Sequence, residues 1–247
     1  MDIYRQKIGF LLHYEEAMII KGIFMDLDGV LLDSFREGLR RIQVICAIHE
    51  IQFTRETRSN LFHNWGLPGI ELLMTCLDIS ESLAKRMYVD WEKYDREFPP
   101  PLIPGAREVL VWLRRNGFKS ALITSRHRQN LLEILDRLDL EREFAVITSK
   151  EDTPGYHKPD PRVFRHALET LEQQGIQKNQ CIFIGDTPSD TVAGHNAEIE
   201  TLVIQTGPYL LEHITQYPVS LGNILRSIDD LPYWMEKHHE GEFKELF

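Results

Sequence analysis

Five short apolar runs, spaced by amphipathic stretches, constrain this chain more than any other feature. They are Ile19 to Met25, Lys119 to Thr124, Phe144 to Thr148, Cys181 to Ile184 and Thr201 to Ile204. Each is brief, rich in Ile, Val or Phe, and bounded by Gly, Asp, Ser or Thr, as strands buried on both faces are. Between them, apolar residues recur at helical spacing over Ala106 to Arg115, Gln129 to Leu138 and Pro161 to Gln173. Pro104-Gly105 feeds the first of these helices and Asn116-Gly117 stops it. Strand–helix alternation predicts an α/β fold with a parallel sheet covered on both faces.

One stretch interrupts the alternation. From Ser34 to about Phe98 the pattern is helical throughout, with Leu39, Ile42, Ile45 and Cys46, then Ile70, Leu73 and Leu77, then Leu83, Met87 and Trp91. Pro99-Pro100-Pro101 closes it with a stiff connection. The expectation is a core domain formed by residues 1–32 and 100–247, with a helical domain inserted over 33–99 and hinges near Asp33 and Pro99.

Charge and cysteine usage narrow the function classes. A formal net charge of -10 over 247 residues argues against a general nucleic-acid binder, which needs a basic face. A phosphorylated small substrate stays compatible, because a metal and a few local cations reverse the sign inside one cleft. Cys46, Cys76 and Cys181 are far apart and form no CxxC pair, which reads as reduced thiols and a cytoplasmic setting. The first residues mix Asp2, Arg5, Lys7, His13, Glu15 and Glu16 with apolar side chains, unlike a signal peptide. No apolar stretch is long enough for a membrane span, so no membrane partner is expected.

The chemistry gathers at the ends of the strands. The first run ends in Met25-Asp26-Leu27-Asp28-Gly29, and extended alternation sends Asp26 and Asp28 to the same side, near enough to share a metal or divide acid and base roles. Taken alone, Asp28-Gly29 reads equally well as a turn after a strand. Ala121 to Ser125 ends a second run in two hydroxyls, Thr124 and Ser125, whose amides can hold an oxyanion. His157-Lys158-Pro159-Asp160-Pro161 sets a lysine just before a helix start, a suitable place for a cation facing phosphate. Ile182 to Asp190 ends a further strand in Gly185-Asp186, with Asp190 four residues on. A polar strand end, a solvated lysine or an acidic helix cap each explains one of these segments. Four in this order are harder to assign to chance.

With these residues in place the chain resembles the haloacid dehalogenase superfamily, in the branch with a helical cap after the first strand. Within that branch it is similar to phosphoglycolate phosphatases and β-phosphoglucomutases. The resemblance runs from about Ile20 to Gly207 and implies a Rossmann-like, doubly wound core. It further implies that Asp26 is the nucleophile that becomes an aspartyl-phosphate, and that Asp28 is the acid–base. Thr124 with the Ser125 amide would bind the transferring phosphoryl, and Lys158 would bridge that group and Asp26. Mg²⁺ would be held by Asp26, the Asp28 carbonyl and Asp186, with Asp190 as a supporting ligand or a partner for Lys158. Dehalogenases of the superfamily lack an acid two residues after the nucleophile, so Asp28 points away from carbon–halogen hydrolysis.

The implied partner is a small phosphorylated metabolite, hydrolysed or, in a mutase, isomerised; a non-catalytic relative would not require Asp26. Candidate substrate contacts are Arg40, Arg41, His63, Trp65 and the Gly66-Leu67-Pro68-Gly69 loop, with Arg126 and His127 after the second motif. One departure stands out. Glu198 occupies a position where relatives often carry glycine. The tail, with Trp234, His238 and His239, reads as a terminal helix whose adjacent histidines do not share a face.

Overall fold

The computed structural model describes residues 19–239, 241, 243 and 244. The core is a six-stranded parallel sheet in the order β3-β2-β1-β4-β5-β6. Its strands are β1 (Gly22–Met25), β2 (Lys119–Ile123), β3 (Val146–Thr148), β4 (Cys181–Gly185), β5 (Glu200–Ile204) and β6 (Ile224–Leu225). Successive side chains go to opposite faces, so Ile23 and Met25 join one apolar layer and Phe24 the other. The first layer packs under α5 (Ala106–Arg115) and α6 (Arg128–Arg137), the second under α7 (Arg165–Glu172) and α8 (Pro188–Ala197).

Register places the site. Met25 pairs with Leu122 on one side and Ile184 on the other, so β1, β2 and β4 end level with one another. The chain moves outward from β1 to β2 and β3, then returns to β4 on the opposite flank. A reversal of this kind opens a crevice beyond the carboxyl ends of the strands, where open α/β sheets bind ligands. Asp26, Thr124 and Asp186 are the residues that directly follow β1, β2 and β4.

Between β1 and α5 the chain forms four helices, α1 (Ser34–Ile48), α2 (Arg55–Asn64), α3 (Gly69–Leu77) and α4 (Glu81–Glu97). Thr54 and Ser80 cap α2 and α4 by accepting from the Thr57 and Leu83 amides. Ile42, Ile45, Leu61, Leu73 and Met87 form a third apolar cluster, separate from the two beside the sheet. The two connections run side by side, the Asp33 amide donating to Pro101 O at 2.9 Å and the Ile103 amide to Leu31 O at 2.8 Å.

Details at the ends differ from the sequence reading. Pro161–Phe164 is a 3₁₀ turn, Asp160 accepting from the Arg162 amide, before α7 begins at Arg165. Strand β6 is two residues long, too short to leave a period in the sequence. The tail forms α10 (Leu231–His238), after α9 (Leu211–Ile214), with Trp234 buried against the sheet layer. His238 bonds Trp234 O while His239 accepts from the Ile20 amide, so the two rings turn to different partners. Residues 1–18, whose mixed polar pattern was read above, lie outside the described residues. No helix among the described residues is long and apolar enough to cross a membrane.

Candidate active site

The four strand-end motifs meet on one sheet edge. Lys158 Nζ lies 2.8 Å from Asp26 Oδ2 and 2.6 Å from Asp190 Oδ1, bridging the ends of β1 and β4. Asp190 is fully buried, and its Oδ2 accepts from the Thr187 amide (3.0 Å) and hydroxyl (2.6 Å). Both of its oxygens are thus engaged, one by Lys158 and the other by Thr187. Thr187 accepts in return from the Asp190 amide, a reciprocal cap that starts α8 at this spot. Asp186 is 2 % exposed, and its Oδ1 has no hydrogen-bond partner among the described residues. Asp26, Asp186 and Asp190 each bring an oxygen within 4.8 Å of the others.

Gly29 explains how Asp186 fits. Its φ is +77°, and a Cβ there would stand 2.0 Å from Asp186 Oδ2. The Asp-Gly pair after β1 is therefore more than a turn, since any side chain would collide with the buried carboxylate.

Electrostatics follow from the crowding. Burial pushes the Asp26 carboxyl up to about 7, with Lys158 pulling it down and Asp190 and Asp28 pushing it further up. Burial and the charges of Asp190 and Asp26 hold Asp186 well above the usual carboxylate range. Burial opposes the Lys158 charge, but Asp190 and Asp26 outweigh it and raise the ammonium above its ordinary value. Crowded carboxylates with an orphaned buried oxygen fit a hard divalent cation, which takes oxygen ligands. Asp28 stands apart from this trio. Burial disfavours its charge, yet the Arg126 guanidinium overrides that and holds it below the usual range.

At the end of β2, Thr124 is buried and donates its amide to Thr148 O at 3.0 Å, while Arg126 N donates to its hydroxyl at 3.3 Å. Ser125 is exposed at the cavity, and its amide makes no hydrogen bond among the described residues. Arg126 Nε and Nη2 donate to Asp28 at 2.8 and 2.7 Å, and Nη1 donates to Asp95 at 2.6 Å. Arg41 donates to the other Asp95 oxygen and to Phe98 O. An alternating chain of charge thus runs from β1 through Arg126 to α4 and α1.

The remaining candidates separate. Trp65 and the Gly66-Leu67-Pro68-Gly69 loop line a cavity of about 500 Å³ above Asp26. Tyr209 donates its hydroxyl to Trp65 O at 2.5 Å, tying this loop to the segment after β5. Arg40 is exposed and pairs with Glu37, and His63 is exposed and bonds Ser59 O. His127 pairs with Glu151. Sequence reasoning missed Asp95, Tyr88 and Glu92, which line the cavity together with Trp91. Their positions, 88, 91, 92 and 95, mark one helical face, so the signal was present in the spacing.

Comparison with known proteins agrees with this geometry. The family model described as "Haloacid dehalogenase-like hydrolase" matches residues 23–204. The chain is 29% identical over 191 residues to a phosphorylated carbohydrates phosphatase of Thermotoga maritima, covering 74% of this chain and 84% of the relative. It is 27% identical over 206 residues to a phosphoglycolate phosphatase of Mesorhizobium japonicum, covering 80% and 88%. In fold it is similar to a hydrolase from Pseudomonas syringae (TM-score 0.72, 21% identity, 89% of this chain and 100% of that one). It is also similar to CbbY from Rhodobacter sphaeroides, solved in complex with phosphate (TM-score 0.70, 18% identity, 88% and 100%). With a family model spanning most of its length, a six-stranded parallel core and the acidic motifs on one edge, the chain belongs to the haloacid dehalogenase-like hydrolase family.

Proposed function

We propose that this enzyme is a Mg²⁺-dependent phosphatase of small phosphate monoesters, working through an aspartyl-phosphate on Asp26. The observation that carries this reading is the position of Lys158, held between Asp26 and Asp190 at the floor of a cavity, with Asp186 beside them. Residues 33–99 act as a cap over a core of 1–32 and 100–247. Relatives named as phosphatases support the reaction class. Buried free thiols at Cys46, Cys76 and Cys181 fit a cytoplasmic setting.

The difficulty of the reaction is like charge. A carboxylate about 4 Å from a phosphate dianion, at an effective dielectric of about 20, is repelled by roughly 8 kcal/mol. Lys158 offsets part of that and aligns Asp26. Mg²⁺ bound by Asp26, Asp186 and the Asp28 carbonyl would supply the rest of the positive charge and orient the ester oxygens. Thr124 and the Ser125 amide receive the phosphoryl oxygens.

In the first step an Asp26 oxygen bonds to phosphorus as the ester P–O bond breaks, and Asp28 gives its proton to the departing alcohol oxygen. In the second, ionised Asp28 takes a proton from water, whose oxygen bonds to phosphorus as the P–Oδ bond breaks. Orthophosphate leaves, Asp26 is a free carboxylate again, and Asp28 is again protonated. The cap excludes bulk water and favours metabolites over polymers.

Orthophosphate release from p-nitrophenyl phosphate and a panel of sugar and acid phosphates, with and without Mg²⁺, tests the proposal. Activity is expected to require Mg²⁺ and to fall at least about 10³-fold in Asp26→Asn. Release that survives Asp26→Asn would overturn the mechanism, and isomerised sugar phosphate without orthophosphate would make the enzyme a mutase.

A further inference from the structure

The cavity above Asp26 has two unlike ends. At its floor lie the carboxylates, Lys158 and the Thr124–Ser125 corner. Its roof is aromatic, built from Trp65, Tyr88 and Trp91 with Leu72. Trp65 and Trp91 have ring centroids 6.1 Å apart at an interplanar angle of 42°, and Tyr88 and Trp91 have theirs 6.1 Å apart at 72°, so the three rings form an aromatic corner rather than a single plane. Tyr88 and Trp91 are only half-buried although they belong to the apolar cluster of the helical unit, so each leaves part of its ring facing the open space.

The rings are also fixed in place. A Cβ on Gly38 would stand 2.3 Å from Trp65 Cη2, and one on Gly69 would stand 2.1 Å from Tyr88 Cε2. Both rings are therefore seated directly on backbone, which limits their rotation. A preset aromatic corner offers a flat partner one ring to stack on and another to meet edge-on, with little ordering cost.

Charge completes the argument. Of the cations that line the cavity, Arg41 and Arg126 are consumed by Asp95 and Asp28, and Lys158 by Asp26 and Asp190, while Lys150 makes no ion pair among the described residues. Glu92 lines the same wall, and its carboxylate has no ion pair or hydrogen bond among the described residues. A carboxylate-bearing leaving group turned toward the roof would meet Glu92 there. The volume of about 500 Å³ falls within the range of about 300–1,000 Å³ typical of pockets for drug-sized ligands. A two-carbon acid occupies little of such a space.

We infer that the substrate is a phosphomonoester of a primary alcohol bearing a planar aromatic or heteroaromatic ring, the phosphate held at Lys158 and the ring seated in the corner between Tyr88 and Trp91, face-on to one and edge-on to the other. This rests on the phosphatase reading above and narrows it. The ring supplies affinity through aromatic contact, and the cap helices supply the aromatic partners.

The test uses the full-length enzyme with Mg²⁺. Values of kcat/KM are compared for pyridoxal 5′-phosphate, flavin mononucleotide and a nucleoside 5′-monophosphate against phosphoglycolate, glycerol 3-phosphate and glucose 6-phosphate. All six release an alkyl alcohol, so leaving-group reactivity does not bias the result as it would for a nitrophenyl ester. At least one ester bearing an aromatic ring is expected to exceed all three without one by tenfold or more. In Trp91→Leu and Tyr88→Leu the ratio of aromatic to non-aromatic kcat/KM should fall at least fivefold, mainly through KM. Should either variant fail to fold, inhibition of the unmodified enzyme by the dephosphorylated ring alcohol, compared with glycolate, gives the same readout. Preference for phosphoglycolate or a sugar phosphate overturns the inference while leaving the phosphatase reading intact, as does an equal loss on both classes. Absence of orthophosphate from all six would instead count against the phosphatase reading itself.

Discussion

Arg126 grips both oxygens of Asp28, with Nε at 2.8 Å and Nη2 at 2.7 Å. A paired fork of this kind is a strong, orientation-fixing contact. It favours ionised Asp28, the form that accepts a proton from water, over the acid that gives one to a leaving group. The proposed first step therefore needs this grip to loosen when substrate arrives.

Removing the fork should be visible in the pH profile. In Arg126→Met the Asp28 carboxyl loses the charge that holds it low, so its ionisation moves to higher pH. The step that needs protonated Asp28 then persists to higher pH, and the alkaline limb of kcat/KM should shift upward. A limb that stays in place or moves down would remove Asp28 from the acid role. Arg126→Lys should shift it less, because a lysine keeps charge but not the fork.

Asp95 binds two arginines, Arg41 and Arg126, and is almost wholly buried. Asp95→Leu strands Arg41, leaving it only the Phe98 carbonyl, while Arg126 keeps Asp28, and should destabilise the protein by about 3–5 kcal/mol, the range for breaking a buried pair from one side. Urea denaturation followed by circular dichroism measures this. A loss under about 1 kcal/mol would mean the pair is solvated.

Metal binding should be linked to protons. With Asp26 lifted to about 7 and Asp186 raised too, the metal-free folded chain holds more protons than the unfolded chain between about pH 4 and 7. The stability these groups contribute is fully present below about pH 4 and is lost as pH rises toward 7. Mg²⁺ should reverse that trend by favouring the ionised forms. Calorimetry in two buffers of different ionisation enthalpy should show proton release on Mg²⁺ binding at pH 6.5, and a weaker apparent affinity there than at pH 8.

Gly29→Ala tests the space around Asp186. The added methyl would stand 2.0 Å from Asp186 Oδ2 and would also need a positive φ. Phosphatase activity should fall at least about 10²-fold, in line with small misplacements at reacting centres. Retained activity would show that Asp186 has freedom the structure does not display.

Glu198 ends α8 in the left-handed region at φ 55° and ψ 43°, and pairs with Lys178 on the surface. A non-glycine residue there costs about 1–2 kcal/mol, and an exposed ion pair, screened by solvent, offsets little of it. Glu198→Gly should therefore stabilise the chain by about 0.5–1 kcal/mol and raise Tm by roughly 2 °C, with kinetics unaltered. Differential scanning calorimetry decides the sign.

The strand ends were legible because burial on both faces leaves continuous apolar runs, and the run stops where the polar site begins. Asp26, Thr124, Lys158 and Asp186 could be found from that rule together with the family resemblance. The Asp28–Arg126–Asp95–Arg41 chain could not. Its partners are 98, 31 and 54 residues apart, and nothing local in the sequence marks which buried charges will meet. The roof was half legible. Tyr88, Trp91, Glu92 and Asp95 share a helical face, but an aromatic on such a face packs inward as readily as it lines a cavity, and only the fold separates the two. Strand β6 left no trace because two residues carry no period.

Tyr88 rests on Gly69, the last residue of the loop that Tyr209 steadies through the Trp65 carbonyl. The width of the chamber is therefore governed by an atom that is missing. Restoring that atom would move the ring and resize the space without altering any group that touches the ligand. Selectivity in this enzyme can thus drift, or be engineered, from behind the wall.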